Sequence, residues 1–225
     1  MKFSVSNAWR ESYPEASIGV IVVRNVINPA TDAGLEIRKT ELEAVLRSRF
    51  SGLDRSELEA TPPLPAYKAY YRRFKKTYHV FLQLESVALK GKSIPSAACL
   101  VEAMFMAELE NMLLTAGHDL DAVHGSVYLD IADGTEHYTR LNGQDQILKP
   151  GDMYIADSEG VISNIIYGPD QRTQINPNTN SALFTTYGPP GVGTQAIDLH
   201  LRAIFDNIKI FAPGALIESL LVIAA

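Results

Sequence analysis

The chain has 225 residues and a formal net charge of −6, with 46% hydrophobic and 20% charged residues. That composition excludes a disordered chain, and the acidic balance excludes a surface that attracts nucleic acid everywhere, so any RNA contact must come from a local basic patch. The single cysteine, Cys99, excludes an intrachain disulfide framework and a cysteine-based zinc cluster.

The first residues, "MKFSVSNAWRESYPE", lack the apolar core of a signal peptide, and no apolar run approaches the length of a membrane span. A cytoplasmic protein with no membrane partner is therefore expected. "ASIGVIVVRNVINP" predicts a buried strand stopped by Asn28 and Pro29. "KTELEAVLRSRFSG" predicts a helix, with Thr40 and Glu43 as a capping box and Gly52 as its stop. "ATPPLPAYKAYYRRFKKTYHV" opens as a Pro-rich turn and continues as a helix, with Tyr67, Tyr70, Tyr71 and Phe74 at near-helical spacing. "IPSAACLVEAMFMAELENMLLTAGHD" predicts the strongest helix, N-capped by Ser96 and stopped by Gly117. It is apolar almost all round and belongs in the centre of the fold.

Beyond Gly125 the character changes. "SVYLDIA", "EHYTRL", "DMYIAD", "VISNIIYG", "TQINPNT" and "SALFTTYG" predict short strands between turns. "TQAIDLHLRAIFDNIKIF" predicts a late helix and "ALIESLLVIAA" a closing strand. Helices first, strands next and then helix and strand make an α+β order, expected as one unit over residues 1–225. Residues 1–55 supply a strand and a helix that complete it.

The turn "GPPGVGTQ", Gly188 to Gln195, has the strand–loop–helix setting and glycine spacing of a phosphate-binding loop. Thr194 and Gln195 stand where such a loop needs Lys and then Ser or Thr. Nothing there neutralises a triphosphate, so no nucleotide triphosphate partner is expected. None of the five histidines forms a metal-binding pair, no GxSxG elbow occurs, and Cys99 sits inside an apolar helix where a thiol is inert. No metal and no cofactor are expected. The one strong basic cluster is "YKAYYRRFKK". Lys68, Arg72, Arg73, Lys75 and Lys76 suit phosphates, and Tyr67, Tyr70 and Tyr71 offer faces for unpaired bases. The plainer reading is an amphipathic helix with tyrosines in the core and solvated charges.

"AYKAYYRRFKK", "LESVALKGKSIPSAACLVEAMFMAEL", "GHDLDAVHGSVYLDIADGTE", "LNGQDQILKPGDMYIADSEGVISNIIYG" and "TNSALFTTYGP" form an ordered set spanning about residues 60 to 210. The set resembles the B3/B4 domain of the phenylalanyl-tRNA synthetase beta subunit, in a free-standing form. The resemblance implies an α+β B3/B4-like fold, a mixed sheet with packed helices. It implies tRNA or aminoacyl-tRNA as partner, a small amino acid as ligand, and trans-editing of mischarged tRNA by a metal-free ester hydrolase. It brings four turns together, 93–96, 115–118, 167–170 and 185–187. Ser96, Ala116, Gly117, Tyr167, Gly168 and Phe184 then form a pocket, and Thr115, His118 and Thr186 orient a water or a carbonyl. Ala116 stands where the family has a histidine, and Phe184 where it has the acid that reads a tyrosine hydroxyl. A phenyl ring cannot read a hydroxyl by hydrogen bonding, so the resemblance carries over the pocket without its tyrosine reader. Two activities follow, a deacylase that clears mischarged tRNA or a binding module that grips tRNA or an amino acid. A protein-interaction module that keeps only the fold is the third reading.

Overall fold

The branched apolar run Ser17–Arg24 is buried on both faces, the pattern of a central strand. The computed structural model describes residues 1–225. In chain order the elements are β1 (Phe3–Val5), α1 (Asn7–Ser12), β2 (Ser17–Arg24), α2 (Ala33–Arg49), α3 (Arg55–Glu59), α4 (Leu64–Arg73), α5 (His79–Ala88) and α6 (Cys99–Asn111). They continue as β3 (Leu114–Asp119), β4 (Val127–Ile131), β5 (His137–Thr139), β6 (Asp145–Ile147), β7 (Met153–Asp157), β8 (Gly160–Asn164), β9 (Gly168–Pro169), β10 (Ser181–Gly188), α7 (Thr194–Phe211) and β11 (Leu216–Ala224). The fold is α+β, with helices packed on sheets.

One sheet has the order β11-β2-β10-β3, antiparallel throughout, so β3 is an edge strand. The other has the order β1-β4-β7-β8-β9 and is mixed, because β1 runs parallel to β4. β5 and β6 form a separate hairpin. Helix α7 lays Ile197, Leu201, Ile204 and Ile208, spaced at three and four residues, on the first sheet. It comes so close that a Cβ at Gly19 of β2 would lie 2.2 Å from Ile197 Cγ2. Helix α6 packs beside α7 and buries Cys99, whose thiol burial pushes up to about 11. No helix is long and apolar enough to cross a membrane.

Helix α4 joins the two sheets. Tyr67, Tyr70 and Tyr71 are 0%, 3% and 2% exposed. The Tyr67 hydroxyl donates to Tyr187 O of β10 and accepts from Leu114 N of β3 at 3.0 Å, standing between two strands at the end of their ladder. Tyr70 donates to Asp152 Oδ1 at 2.6 Å and accepts from Met153 N at 2.7 Å; Tyr71 donates to Ile165 O at 2.6 Å. These rings are core, so Tyr67, Tyr70 and Tyr71 cannot stack on nucleic-acid bases, and the plainer reading of this helix holds for its tyrosines.

Several local expectations are corrected. Helix α2 begins at Ala33, where Asp32 caps it by accepting from Leu35 N at 3.0 Å. Thr40 lies inside it and donates to Glu36 O, while Glu43 accepts from Ile94 N. The capping box is Asp54 with Glu57, at the start of α3. Ser96 does not cap α6; Ala98 holds that position, and Ser96 Oγ accepts from Lys39 Nζ at 3.2 Å. Gly117 does not stop α6 either. The helix ends at Met112, at φ 61°, and Gly117 lies within β3. "TQINPNT" is a turn, because Pro177 cannot continue a ladder and Asn176 and Thr179 bond Asp119 instead. Elements β1, α1, α3, α5, β3, β6 and β9 went unread in the sequence, β3 because its residues continue the apolar run of the helix before it.

Replacing Tyr67 by Phe strands the Leu114 N–H and the Tyr187 carbonyl in the core. The expected cost is about 1–3 kcal/mol in urea unfolding. An unchanged midpoint would show that the hydroxyl does not hold this end of the ladder.

Candidate functional site

A cavity of about 220 Å³ opens between the two sheets. Helix α6 supplies Val101, Met104, Phe105 and Glu108, and the edge strand β3 supplies Leu114 to Gly117. Asn164, Gly168 and Pro169 close it from the second sheet, and Leu141, Gln174 and Ile175 come from turns. His79 of α5 and Tyr187 of β10 complete the wall.

The apolar wall contains one acidic side chain and neither Lys nor Arg. The acid is Glu108, 2% exposed. Its Oε1 accepts from Thr115 N at 2.7 Å, the only hydrogen bond the carboxyl makes. Burial raises its pKa to about 8, against the smaller lowering effect of that hydrogen bond. Asn164 donates to Asp152 Oδ2 at 2.6 Å and accepts from Tyr167 N at 3.0 Å. Asp152 is raised to about 7 by burial. His79 is exposed on its outer side, and the atoms packed around its ring lower its pKa by desolvation.

Strand β3 offers main-chain groups as well. Thr115 N turns to Glu108 and Asp119 N to Thr173 O, both away from β10. Antiparallel pairing alternates every second residue, so Gly117 between them presents its N–H and C=O to the same open edge. A Cβ at Gly117 would lie 2.9 Å from Ile175 Cδ1 and 3.1 Å from Phe184 Cε1. Glycine keeps this wall thin.

Of the sequence-predicted site residues, Thr115, Ala116, Gly117 and Gly168 meet at the cavity. Thr115 Oγ1 lies 2.7 Å from His200 Nε2 and 3.0 Å from Thr186 Oγ1. His200 is fully buried, and burial lowers its pKa to about 3. Thr186 and Phe184 are 0% exposed and stand behind the wall rather than in it. Ser96 lies at the α2–α6 junction beside Lys39 and Glu102, outside the wall. His118 is also fully buried and outside it. The Thr173 hydroxyl donates to Asp170, so it must accept from His118 Nδ1–H, at 2.7 Å; Nε2 is left without a partner. Burial holds this imidazole neutral, with a pKa of about 3. No group of three His, Cys, Asp or Glu side chains is placed to hold a metal ion.

The cations of α4 face solvent. Lys68 is paired with Glu59 at 2.6 Å, and Arg73 lies over the Tyr13 ring at 5.0 Å. Arg72, Lys75 and Lys76 are exposed and meet no acid. Lys76 Nζ is 5.5 Å from the Tyr167 ring, and Arg140 Cζ is 5.9 Å from the same ring. Tyr167 precedes Gly168, and Arg140 precedes Leu141, both part of the wall. Glu108, His79, Asn164, Gln174, His200 and Arg140 were missed in the sequence. Glu108 carried a signal: an acid buried in an apolar helix is costly unless it has a partner.

A B3/4 domain family model matches residues 66–203, more than half of the chain. The chain belongs to the B3/4 domain family. The match falls within the span of about 60 to 210 that the sequence resemblance marked. The B3/4 chain is 36% identical over 67 residues to the phenylalanine–tRNA ligase beta subunit of Mycoplasma pneumoniae, over 30% of this chain and 8% of that protein. It therefore spans a small part of its curated relative. Its fold is similar to an N-terminal fragment of the phenylalanyl-tRNA synthetase beta subunit of Pyrococcus horikoshii. That likeness has a TM-score of 0.52 and 11% identity, and covers 100% of this chain and 54% of that one.

Glu108 makes stability depend on pH. Its pKa is about 8 folded against an ordinary 4.5, so between those values the folded chain keeps a proton that the unfolded chain has released. Stability is full below about pH 4.5 and falls as pH rises toward 8. Glu108→Gln has no such loss, and Asp152 acts alike in both proteins. The variant's stability relative to wild type should rise by on the order of 3 kcal/mol between pH 5 and pH 8.5. Urea unfolding at the two pH values checks this; a constant difference would mean the carboxyl ionises freely.

Proposed function

We propose that this B3/4 protein binds the aminoacyl end of a tRNA, with the aminoacyl group in the cavity and the adjoining phosphates on the cations at its mouth. The observation that carries the reading is the adjacency of the two parts. An apolar cavity of about 220 Å³ without a cation opens beside Lys76 and Arg140, which meet no acid. Arg72 and Lys75 extend the basic ridge along α4 and its end. Family membership and the likeness to synthetase beta subunits support the choice of tRNA as the polyanion. Contact with the RNA runs through charge, because the tyrosines are buried.

The double variant Lys76→Glu with Arg140→Glu should weaken tRNA binding at least tenfold at low salt. It should flatten the dependence of log K on log salt by about 1.5 to 2, the contribution of two phosphate contacts. Fluorescence anisotropy over a salt series measures both. Unchanged binding would remove the cavity mouth from the interface.

One observation favours hydrolysis in trans as a second reading: Thr115 Oγ1, in the wall, is within 2.7 Å of His200 Nε2. A hydroxyl held by a neutral imidazole can orient water toward an activated ester. On that reading a panel of aminoacylated tRNAs should lose one amino acid faster than in buffer, and Thr115→Val should slow that loss at least tenfold. A flat panel leaves the binding reading alone.

A further inference from the structure

Strand β11 is the outermost strand of the first sheet, and its far edge meets no other strand. Ala225 N donates to Ala16 O at 3.0 Å, and antiparallel pairing alternates every second residue. Leu221 and Ile223 therefore turn their main-chain groups to β2, while Leu220, Val222 and Ala224 turn theirs outward. Arg10 Nη1 donates to Ala224 O at 2.8 Å from that outer side, as the alternation requires. An open edge is a template for another strand, and proteins blunt it with Lys, Pro, bulges or a covering group. Residues Leu216–Ala224 contain no Lys, Arg or Pro. Two guards are present, and both stand toward the ends: a bulge between Ile217 and Ser219, and Arg10 on Ala224 O. Between them Leu220, Leu221 and Val222 form an open, uncharged segment, with Leu221 43% exposed.

We infer that this edge pairs with the same edge of a second copy of the chain, antiparallel about a two-fold axis at Leu221. The inference is independent of the reading of the cavity, which lies at β3, the other edge of the same sheet. Around that axis Leu220 of one copy faces Val222 of the other, so their outward N–H and C=O groups satisfy one another. An axis at Val222 would set Leu220 against Ala224, whose carbonyl Arg10 already holds. Leu221 meets Leu221 of the second copy at a position without hydrogen bonds, where opposed side chains come closest. Those side chains lie on the face away from α7, because Val222 pairs with Gly19, the residue against which Ile197 of α7 packs. Charge favours the same register. It puts Glu218, which accepts from Arg24 of β2, opposite Ala224 of the second copy and the Arg10 that holds it. Arg10 meets no acid in its own chain. The paired segment is thus apolar at its centre and carries opposite charges across both ends, a pattern that the strand supplies to itself.

Sedimentation equilibrium of the full chain at high micromolar concentration should give the mass of two copies. Leu221→Lys puts like charges face to face on the axis and should weaken the dimer at least tenfold. Leu221→Cys should cross-link under mild oxidation, because opposed Cα atoms at such a position stand about 4.5 Å apart, within reach of a disulfide. Ala224→Cys is exposed too, but faces Glu218 rather than its own counterpart, and should stay uncross-linked. The native Cys99 is buried and takes no part. A monomeric wild-type chain overturns the inference, and so does a dimer that Leu221→Lys leaves intact. Equal cross-linking at Leu221 and Ala224 overturns it as well. The cross-link reads the register even where Leu221→Lys folds poorly.

Discussion

The fold depends on one helix with two chemistries. Helix α4 sends three phenol hydroxyls into the interior, where they bond main-chain groups of both sheets. A buried main-chain group without a partner is costly, so each hydroxyl fixes the separation of the elements it bridges. Tyr67 matters most for the site. By standing between Leu114 N and Tyr187 O it takes the place of a ladder bond where β3 begins, just before the cavity wall. Rings pack around it, with Tyr78 stacked on Tyr67 at 4.3 Å. The opposite face of α4 carries the cations, of which Arg72 stays exposed and unpaired.

That division explains what the sequence could and could not tell. Long periodic or wholly apolar segments read well: α7 and β11 fall where their patterns put them, because burial alone decides them, while β2 ends at Arg24, before the Asn28 and Pro29 stop. Boundaries set by single hydrogen bonds read poorly. The pattern suggests that α2 starts near Lys39, yet Asp32 caps it well before that point, and Lys39 is a buried, ion-paired residue inside the helix. The end of α6 was misread for a different reason. "MLLTAG" continues an apolar run without a break, and only the left-handed turn at Met112 separates helix from strand. Glycine was the obvious stop signal, but Gly117 serves close packing against Ile175 and Phe184 instead.

The candidate site was legible by half. Thr115, Ala116, Gly117 and Gly168, which the resemblance singled out, line one cavity, since these are main-chain walls that follow the fold. It could not rank side chains. His118 was attractive as a histidine in a turn, yet it is a strand residue whose ring is tied to Thr173 and Asp170 away from the cavity. Glu108 was hidden inside a helix that looked like pure core. Burial of a carboxyl without a cation is a cost that packing does not explain, and it is the kind of cost that accompanies binding sites.

The electrostatics of the site differ between its rim and its wall. Lys76 and Arg140 bring positive charge to the Tyr167 ring, next to Gly168 of the wall, while the wall itself holds no cation and one acid, Glu108, which burial keeps protonated at neutral pH. A molecule with phosphates at one end and an uncharged apolar body at the other suits both parts, in one orientation only. In the proposed reading this gradient, rather than the shape of the cavity, separates an aminoacylated RNA end from its two halves. Bare RNA satisfies the rim and leaves the cavity empty, and a free amino acid brings a carboxylate to a wall that has no cation to pair it. Selectivity then arises from the simultaneous use of two weak sites, whose combined effect exceeds either alone because the second contact forms within one bound molecule.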